Sequence, residues 1–300
     1  MRLLLLALAL TACDGSSTSP NDTGKLWEKF SGEKALHHVE RLVELGPRPP
    51  GSEALERARV YITDELKAAG WHVTRQTFTD STPRGPMTFV NLIATFGEAK
   101  SEKKPPSFLL CSHYDTKVFE TESFVGANDG GSSNGVLLEM ARVLALRPEL
   151  AARVQLVFFD GEEAYVAFTA TDGLYGSRYF AKQLALADKA KQFRGGILFD
   201  MVGDRDLRIT LPPDSPSQMT LDLFASAEAL KVRNHFTYAT NGILDDHTPL
   251  NEIGIPVIDL IDFEYPPWHT PGDTMDKLSA ESLGIVGTVA VRYLAEVAFK

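Results

Sequence analysis

Apolar positions along the chain follow two rhythms, one of helical spacing and one of short buried runs. Over residues 33–45, Leu36, Val39, Leu42 and Val43 fall on one helical face, and the pattern stops at Gly46. Gly46-Pro47-Arg48-Pro49-Pro50-Gly51 reads as a rigid turn. Ser52 is placed to cap a second helix running to about Ala69, with Gly70 as its stop. Residues 71–79 and 87–96 read as two strands joined around Pro83-Arg84-Gly85, an antiparallel pair at one side of a sheet, followed by a charged loop over 99–104. Further on, strands are expected at 107–111, 154–159, 195–199, 207–211 and 256–261. Helices are expected at 132–146, 174–186, 220–231 and 280–299. The run over 154–159 is apolar but for Gln155, as a strand buried on both faces requires. Strands alternating with helices predict an α/β fold, a three-layer α/β/α sandwich around a mixed, mostly parallel central sheet. Neither an internal repeat nor an internal linker divides it, so a single catalytic domain is expected over residues 31–300.

The N-terminus departs from this pattern. Met1-Arg2 and the apolar run over 3–10 read as an export signal too short to span a bilayer, and Leu10-Thr11-Ala12-Cys13 resembles a bacterial lipobox. Residues 1–12 are therefore expected to be a signal peptide and Cys13 the lipidated first residue of an exported, envelope-anchored bacterial lipoprotein. A flexible tether is expected over 13–30. The only other cysteine, Cys111, sits in an apolar strand and is expected to be inert core. A net charge of −10 argues against nucleic acid or an anionic membrane surface as a partner. Contact with a membrane is expected only through the lipid, and the protein is expected to be a monomer.

The candidate chemistry lies where apolar runs end. The 154–159 run breaks at Asp160-Gly161 and presents Glu162 and Glu163, either as surface acids or as a pair dividing metal binding from proton transfer. His113-Tyr114-Asp115 follows the 107–111 strand, with a carboxylate able to orient the imidazole or to cap. Asp129, in Asn128-Asp129-Gly130-Gly131, either serves a helix N-terminus or binds metal. Asp200 ends the 195–199 strand, and His269 stands on a proline-rich turn beside Trp268. His37, His38, His72 and His235 fall on helix faces or strands and read as structural. Loops at one edge of an α/β sheet converge in space, and a mixed set of carboxylates and imidazoles suits Zn²⁺.

The order His113-x-Asp115, Asp129, Glu162-Glu163, Asp200, His269 resembles the zinc-dependent aminopeptidase superfamily. Within it, the segments 46–52, 69–73, 160–164 and 174–178 are similar to animal-type glutaminyl-peptide cyclotransferases (glutaminyl cyclases). So are Asp245-Asp246-His247-Thr248-Pro249 and Trp268-His269-Thr270, which are the specific ones. The resemblance implies one zinc held by Asp129, Glu163 and His269, with Glu162 as general acid/base and Asp200 and Asp245 as its hydrogen-bond partners. It implies a substrate pocket walled by Trp268 and Phe168, and conversion of the N-terminal Gln of peptides or proteins to pyroglutamate with release of ammonia. Phe168 is a departure, since the cyclase motif has a second tryptophan there; Asp259 is another, standing where animal cyclases carry a histidine. The rival reading is a two-zinc aminopeptidase, in which His113 and Asp200 complete a second metal. A third is a binding ectodomain without catalysis, which the full set of ligand residues disfavours.

Overall fold

The structure, a computed structural model, describes residues 24–97 and 105–300. The expected signal peptide, Cys13 and most of the tether, and the charged loop over 99–104, lie outside the described residues. Leu26–Lys29 form a 3₁₀ turn whose Leu26 and Trp27 enter the core, so the packed domain starts before residue 31 and the tether does not extend to residue 30.

The N-terminal layer is α1 (Gly32–Val43) and α2 (Glu53–Ala68). Ser31 and Ser52 cap them, their side chains accepting from Lys34 N and Leu55 N. Gly70, at φ +87°, ends the second helix in the left-handed turn that glycine adopts without strain. The chain then forms the hairpin β1 (Trp71–Thr82) and β2 (Gly85–Phe96), longer than its apolar pattern because exposed Thr and Asp positions continue the ladder. After it come β3 (Phe108–His113), α3 (Ser133–Ala145), α4 (Pro148–Ala151), β4 (Val154–Phe159) and α5 (Tyr175–Leu186). The remainder is β5 (Gly196–Asp200), β6 (Ile209–Leu211), α6 (Ser217–Ala229), β7 (Phe236–Tyr238), α7 (His247–Glu252), β8 (Val257–Ile261) and α8 (Ala280–Tyr293).

Among the described residues, eight strands form one mixed sheet in the order β1-β2-β4-β3-β5-β8-β6-β7. Strands β4, β3, β5 and β8 run parallel at its centre, while β2 flanks them antiparallel on one side and β6 on the other. Side-chain alternation sorts the two faces. Leu110, Leu156, Phe158, Ile197, Phe199, Ile258 and Leu260 pack toward α1, α2, α3, α6 and α8. Leu109, Cys111, Val157, Phe159, Leu198 and Val257 pack toward α5 and α7. Cys111 is a free, fully buried thiol in that second layer. The parallel run brings the carboxyl ends of β3, β4, β5 and β8 to one edge, where His113 and Asp200 are the last residues of their strands rather than the first beyond them.

A buried ion pair fixes the turn leaving β4. Asp160 accepts from Arg59 Nη2 at 2.6 Å and from Val90 N at 2.7 Å, while Arg59 Nε donates to the Tyr114 hydroxyl at 2.7 Å. Removing one partner of such a pair leaves a buried charge uncompensated. Arg59→Met should therefore lower unfolding free energy by about 3–5 kcal/mol in urea titration. Glu56→Gln, which removes only the half-exposed partner of the same arginine, should cost no more than about 1 kcal/mol.

Candidate metal and catalytic site

Separate elements deliver the candidate residues, the adjacent Glu162 and Glu163 sharing one. Asp129 lies in the irregular turn Asn128–Ser132 ahead of α3, where its own backbone is extended (ψ 106°) and Gly130 takes φ +72°. A Cβ on Gly130 would stand 2.7 Å from the Asp115 carbonyl oxygen, so this close approach needs glycine. Glu162 and Glu163 follow Gly161, whose φ of +70° reverses the chain at the end of β4. His269 adopts φ +53° on the turn after β8, a strained conformation for a residue with a side chain. Trp268 stacks on its ring at 4.2 Å, and Phe119 and Phe124 meet it edge-on at 6.4 and 6.0 Å.

Donor atoms of Asp129, Glu163 and His269 all lie within 4.8 Å of one another. His269 Nε2 is 3.1 Å from Glu163 Oε2 and 3.4 Å from Asp129 Oδ2. Bonds of about 2.0–2.2 Å to a tetrahedral zinc set its donors about 3.3 Å apart, so the spacing and the donor types both fit that ion. The Asp129 Oδ2 atom is buried without a hydrogen-bond partner, as a group awaiting a cation would be. His113, Asp129 and Asp200 form a second such group, with His113 Nε2 3.2 Å from both Asp129 Oδ1 and Asp200 Oδ1.

The electrostatics follow from burying so many acids together. Burial pushes Glu162 well above the ordinary carboxyl range, and the charges of Glu163 and Asp245 add to this against the opposing His113. Burial likewise raises Glu163, with Asp129 as the next cause, and raises Asp200 despite its hydrogen bond with His113. Asp129 is the exception. Burial pushes it up, but the close His113 and His269 imidazoles outweigh that and hold it well below the usual range. Burial lowers His269, yet its contacts with Asp129 and Glu163 dominate and bring it to about 9.

Glu162, Asp129 and His269 share one narrow cavity of about 30 Å³ with Asp200 and Asp245. Trp268 and Phe168 wall it, and Met201, Ile243, Leu244, Ile261 and Phe263 complete the apolar lining. Apolar residues at loop ends carry no chemical signal, which is why the sequence did not reveal them. One expectation is not met. Among the described residues no hydrogen bond joins Glu162 to Asp200 or Asp245: Asp200 pairs with His113, and Asp245 accepts from Asp246 N at 2.5 Å. Ionised carboxylates accept but do not donate, so such bonds require a shared proton.

Supporting residues were legible only in part. Asp115 stands 3.5 Å from His113 Nδ1, and its two oxygens also accept from the Glu162 and Glu163 backbone N–H groups at 3.2 and 3.4 Å. Asp273 accepts from Asn128 N at 2.8 Å, from Asp129 N at 3.1 Å and from the Tyr265 hydroxyl at 2.9 Å, tying the Asp129 turn to the His269 turn. Lys117 Nζ lies 3.5 Å from Glu163 Oε2 and donates to Ala164 O at 2.8 Å. Asp245, His247 and Asp259 gather as a further buried group, in which burial pushes Asp259 well up and lowers His247 to about 4.

Comparison with known proteins agrees with this geometry. Residues 91–294 match the family described as peptidase family M28. The glutaminyl-peptide cyclotransferase of Bos taurus is 30% identical, over 85% of this chain and 79% of its own. The crystal structure of a glutaminyl cyclase from an Acidobacteriales bacterium superposes with a TM-score of 0.80 at 31% identity, covering 96% of this chain and 98% of that one. A leucine aminopeptidase precursor from Bacteroides thetaiotaomicron VPI-5482 also superposes with a TM-score of 0.80, at 26% identity over 89% of this chain and 98% of that one.

Because Asp273 holds the backbone on which Asp129 stands, Asp273→Ala should weaken zinc binding about 10–100-fold, the usual cost of losing an outer support of a metal ligand. Competition with a chromophoric chelator measures it, and wild-type affinity in the variant would remove the support from the account.

Proposed function

This chain belongs to peptidase family M28, and we propose that it is a zinc-dependent glutaminyl-peptide cyclotransferase, converting the N-terminal glutamine of peptides to pyroglutamate and ammonia. The observation that carries the reading is Trp268, stacked on His269 and lining the same narrow cavity as Glu162. It sets a flat apolar wall beside the metal donors, where a planar side-chain amide can lie. The relatives named above support it.

Asp129, Glu163 and His269 would hold the zinc. When bound there, the ion supplies Lewis-acid polarisation of the amide oxygen and charge opposite the oxyanion that develops on it. The substrate's α-amine attacks its own side-chain carbonyl carbon, and the bond from that carbon to the amide nitrogen breaks. The nucleophile is tethered, so orientation does much of the work: effective molarities of such reactions reach ~10⁵ M or more. Trp268 and Phe168 confine the side chain in the folded-back shape this requires. Glu162 removes a proton from the attacking amine and delivers it to the departing nitrogen, which leaves as ammonia. The burial and neighbouring acids that raise its pKa suit it to both halves of that transfer. Asp200 and Asp245 line the same pocket, and Glu163, Asp245 and Asp246 set the negative field around Glu162.

The grouping of His113 with Asp129 and Asp200 favours a second reading, a two-zinc aminopeptidase. Fluorogenic Gln and Leu amides separate the two. The first reading expects cyclisation of the Gln compound, no release from the Leu compound and one zinc per chain; Leu release with two zincs would replace it by the second. Glu162→Gln should keep its zinc and lose at least about 10²-fold in kcat. Loss of metal with residual turnover would mean that the two glutamates have exchanged roles.

Export and lipid anchoring through Cys13 complete the proposal, supported by the charged start, the apolar run over 3–10 and the Leu10-Thr11-Ala12-Cys13 segment. In a bacterial host, labelled palmitate should enter the full-length chain and not a Cys13→Ser variant; equal labelling would overturn this part.

A further inference from the structure

The catalytic cavity admits little more than one side chain, so the rest of a peptide substrate must leave over its rim. On one side that rim is Leu244, 46% exposed, with Thr169 and Ala170 directly after the wall residue Phe168. Leu244 also lines a second and roomier cavity of about 310 Å³, so the two spaces share a wall. Thr169 and Ala170 border this second cavity, whose floor includes Pro249 of α7.

Its charged groups are not equivalent. Arg178 Nη1 donates to Ala170 O at 2.9 Å and its Nη2 donates to Thr169 O, so both ends of the guanidinium fork are spent on holding the loop in place. Glu252, at the exposed end of α7, has no hydrogen-bond or ion-pair partner among the described residues. The charged acceptor left for an incoming side chain is therefore a carboxylate, beside the Thr248 hydroxyl. The chain's overall charge of −10 works in the same direction.

We propose that the cavity beyond Leu244 is the subsite for the residues following the N-terminal glutamine, and that Glu252 makes it select basic side chains. The inference rests on the peptide-cyclising reading given above and adds to it a direction for the substrate chain and a specificity determinant. Glu252 lies outside the catalytic cavity, so it acts on kcat/KM for extended peptides without touching the chemistry.

The test is a set of Gln-initiated pentapeptide amides bearing Lys or Glu in turn at positions two, three and four, with a Gln coumarylamide as the short reference. At one of these positions the zinc-loaded enzyme should favour Lys over Glu by about threefold or more, the scale of one partly exposed ion pair, and added salt should shrink the preference. Glu252→Lys should invert it while cyclising the coumarylamide at the wild-type rate. Equal rates for the Lys and Glu peptides, or a preference that survives Glu252→Lys, would overturn the subsite even though glutamine is still cyclised. Failure to cyclise the coumarylamide at full zinc occupancy would instead overturn the reading beneath it.

Discussion

Too much negative charge is buried at one edge of the sheet for the protein's own cations to balance. Asp129, Glu162, Glu163, Asp200 and Asp245 are all nearly inaccessible to water and line or adjoin one cavity. Facing them are two imidazoles, His113 and His269, and the ammonium of Lys117. Buried carboxylates without compensation are costly, and each relieves that cost by binding a proton, a donor or a metal. The raised pKa of Glu162 and the high pKa of His269 are two expressions of this imbalance. A divalent cation held between Asp129, Glu163 and His269 would resolve it and would leave Glu162 free to move a proton.

The rest of the domain keeps these groups from spreading apart. Parallel pairing of β4, β3, β5 and β8 sets the strand ends side by side. Carboxylates that take no part in the chemistry then hold the turns by their backbone N–H groups: Asp160 at β2, Asp115 beneath Glu162 and Glu163, and Asp273 beneath Asn128 and Asp129. The strained backbone of His269 is held by aromatic packing from Trp268, Phe119 and Phe124. The protein's own packing and hydrogen bonds thus organise the site, which is what electrostatic stabilisation of a developing charge requires.

Much of this could be read from residue order. The long amphipathic helices, the Ser52 cap and Gly70 stop of the second, and the apolar parallel strands follow local rules, so sequence patterns found them. The meeting of Asp129, Glu163 and His269 was foreseeable because loops after parallel strands must share an edge. What escaped notice has weak local signal. Strand β7 and helix α7 are three and six residues long, and α4 is four; each exists because the sheet and core hold it. Asp115 and Asp273 act on backbone N–H groups across long sequence separations, and the apolar lining at Met201, Ile243 and Phe263 has no chemical mark. The bonds expected from Asp200 and Asp245 to Glu162 are absent because residue types do not specify which acid carries a proton.

One family covers both cyclases and peptidases here, and the ligand sets differ only in whether His113 and Asp200 join a second ion. The most direct measurement is anomalous diffraction at the zinc edge from crystals of the purified protein. The account requires a single peak about 2.0–2.2 Å from the donor atoms of Asp129, Glu163 and His269. Two peaks, with the second between His113 and Asp200, or no peak among the three donors in fully zinc-loaded protein, would contradict it.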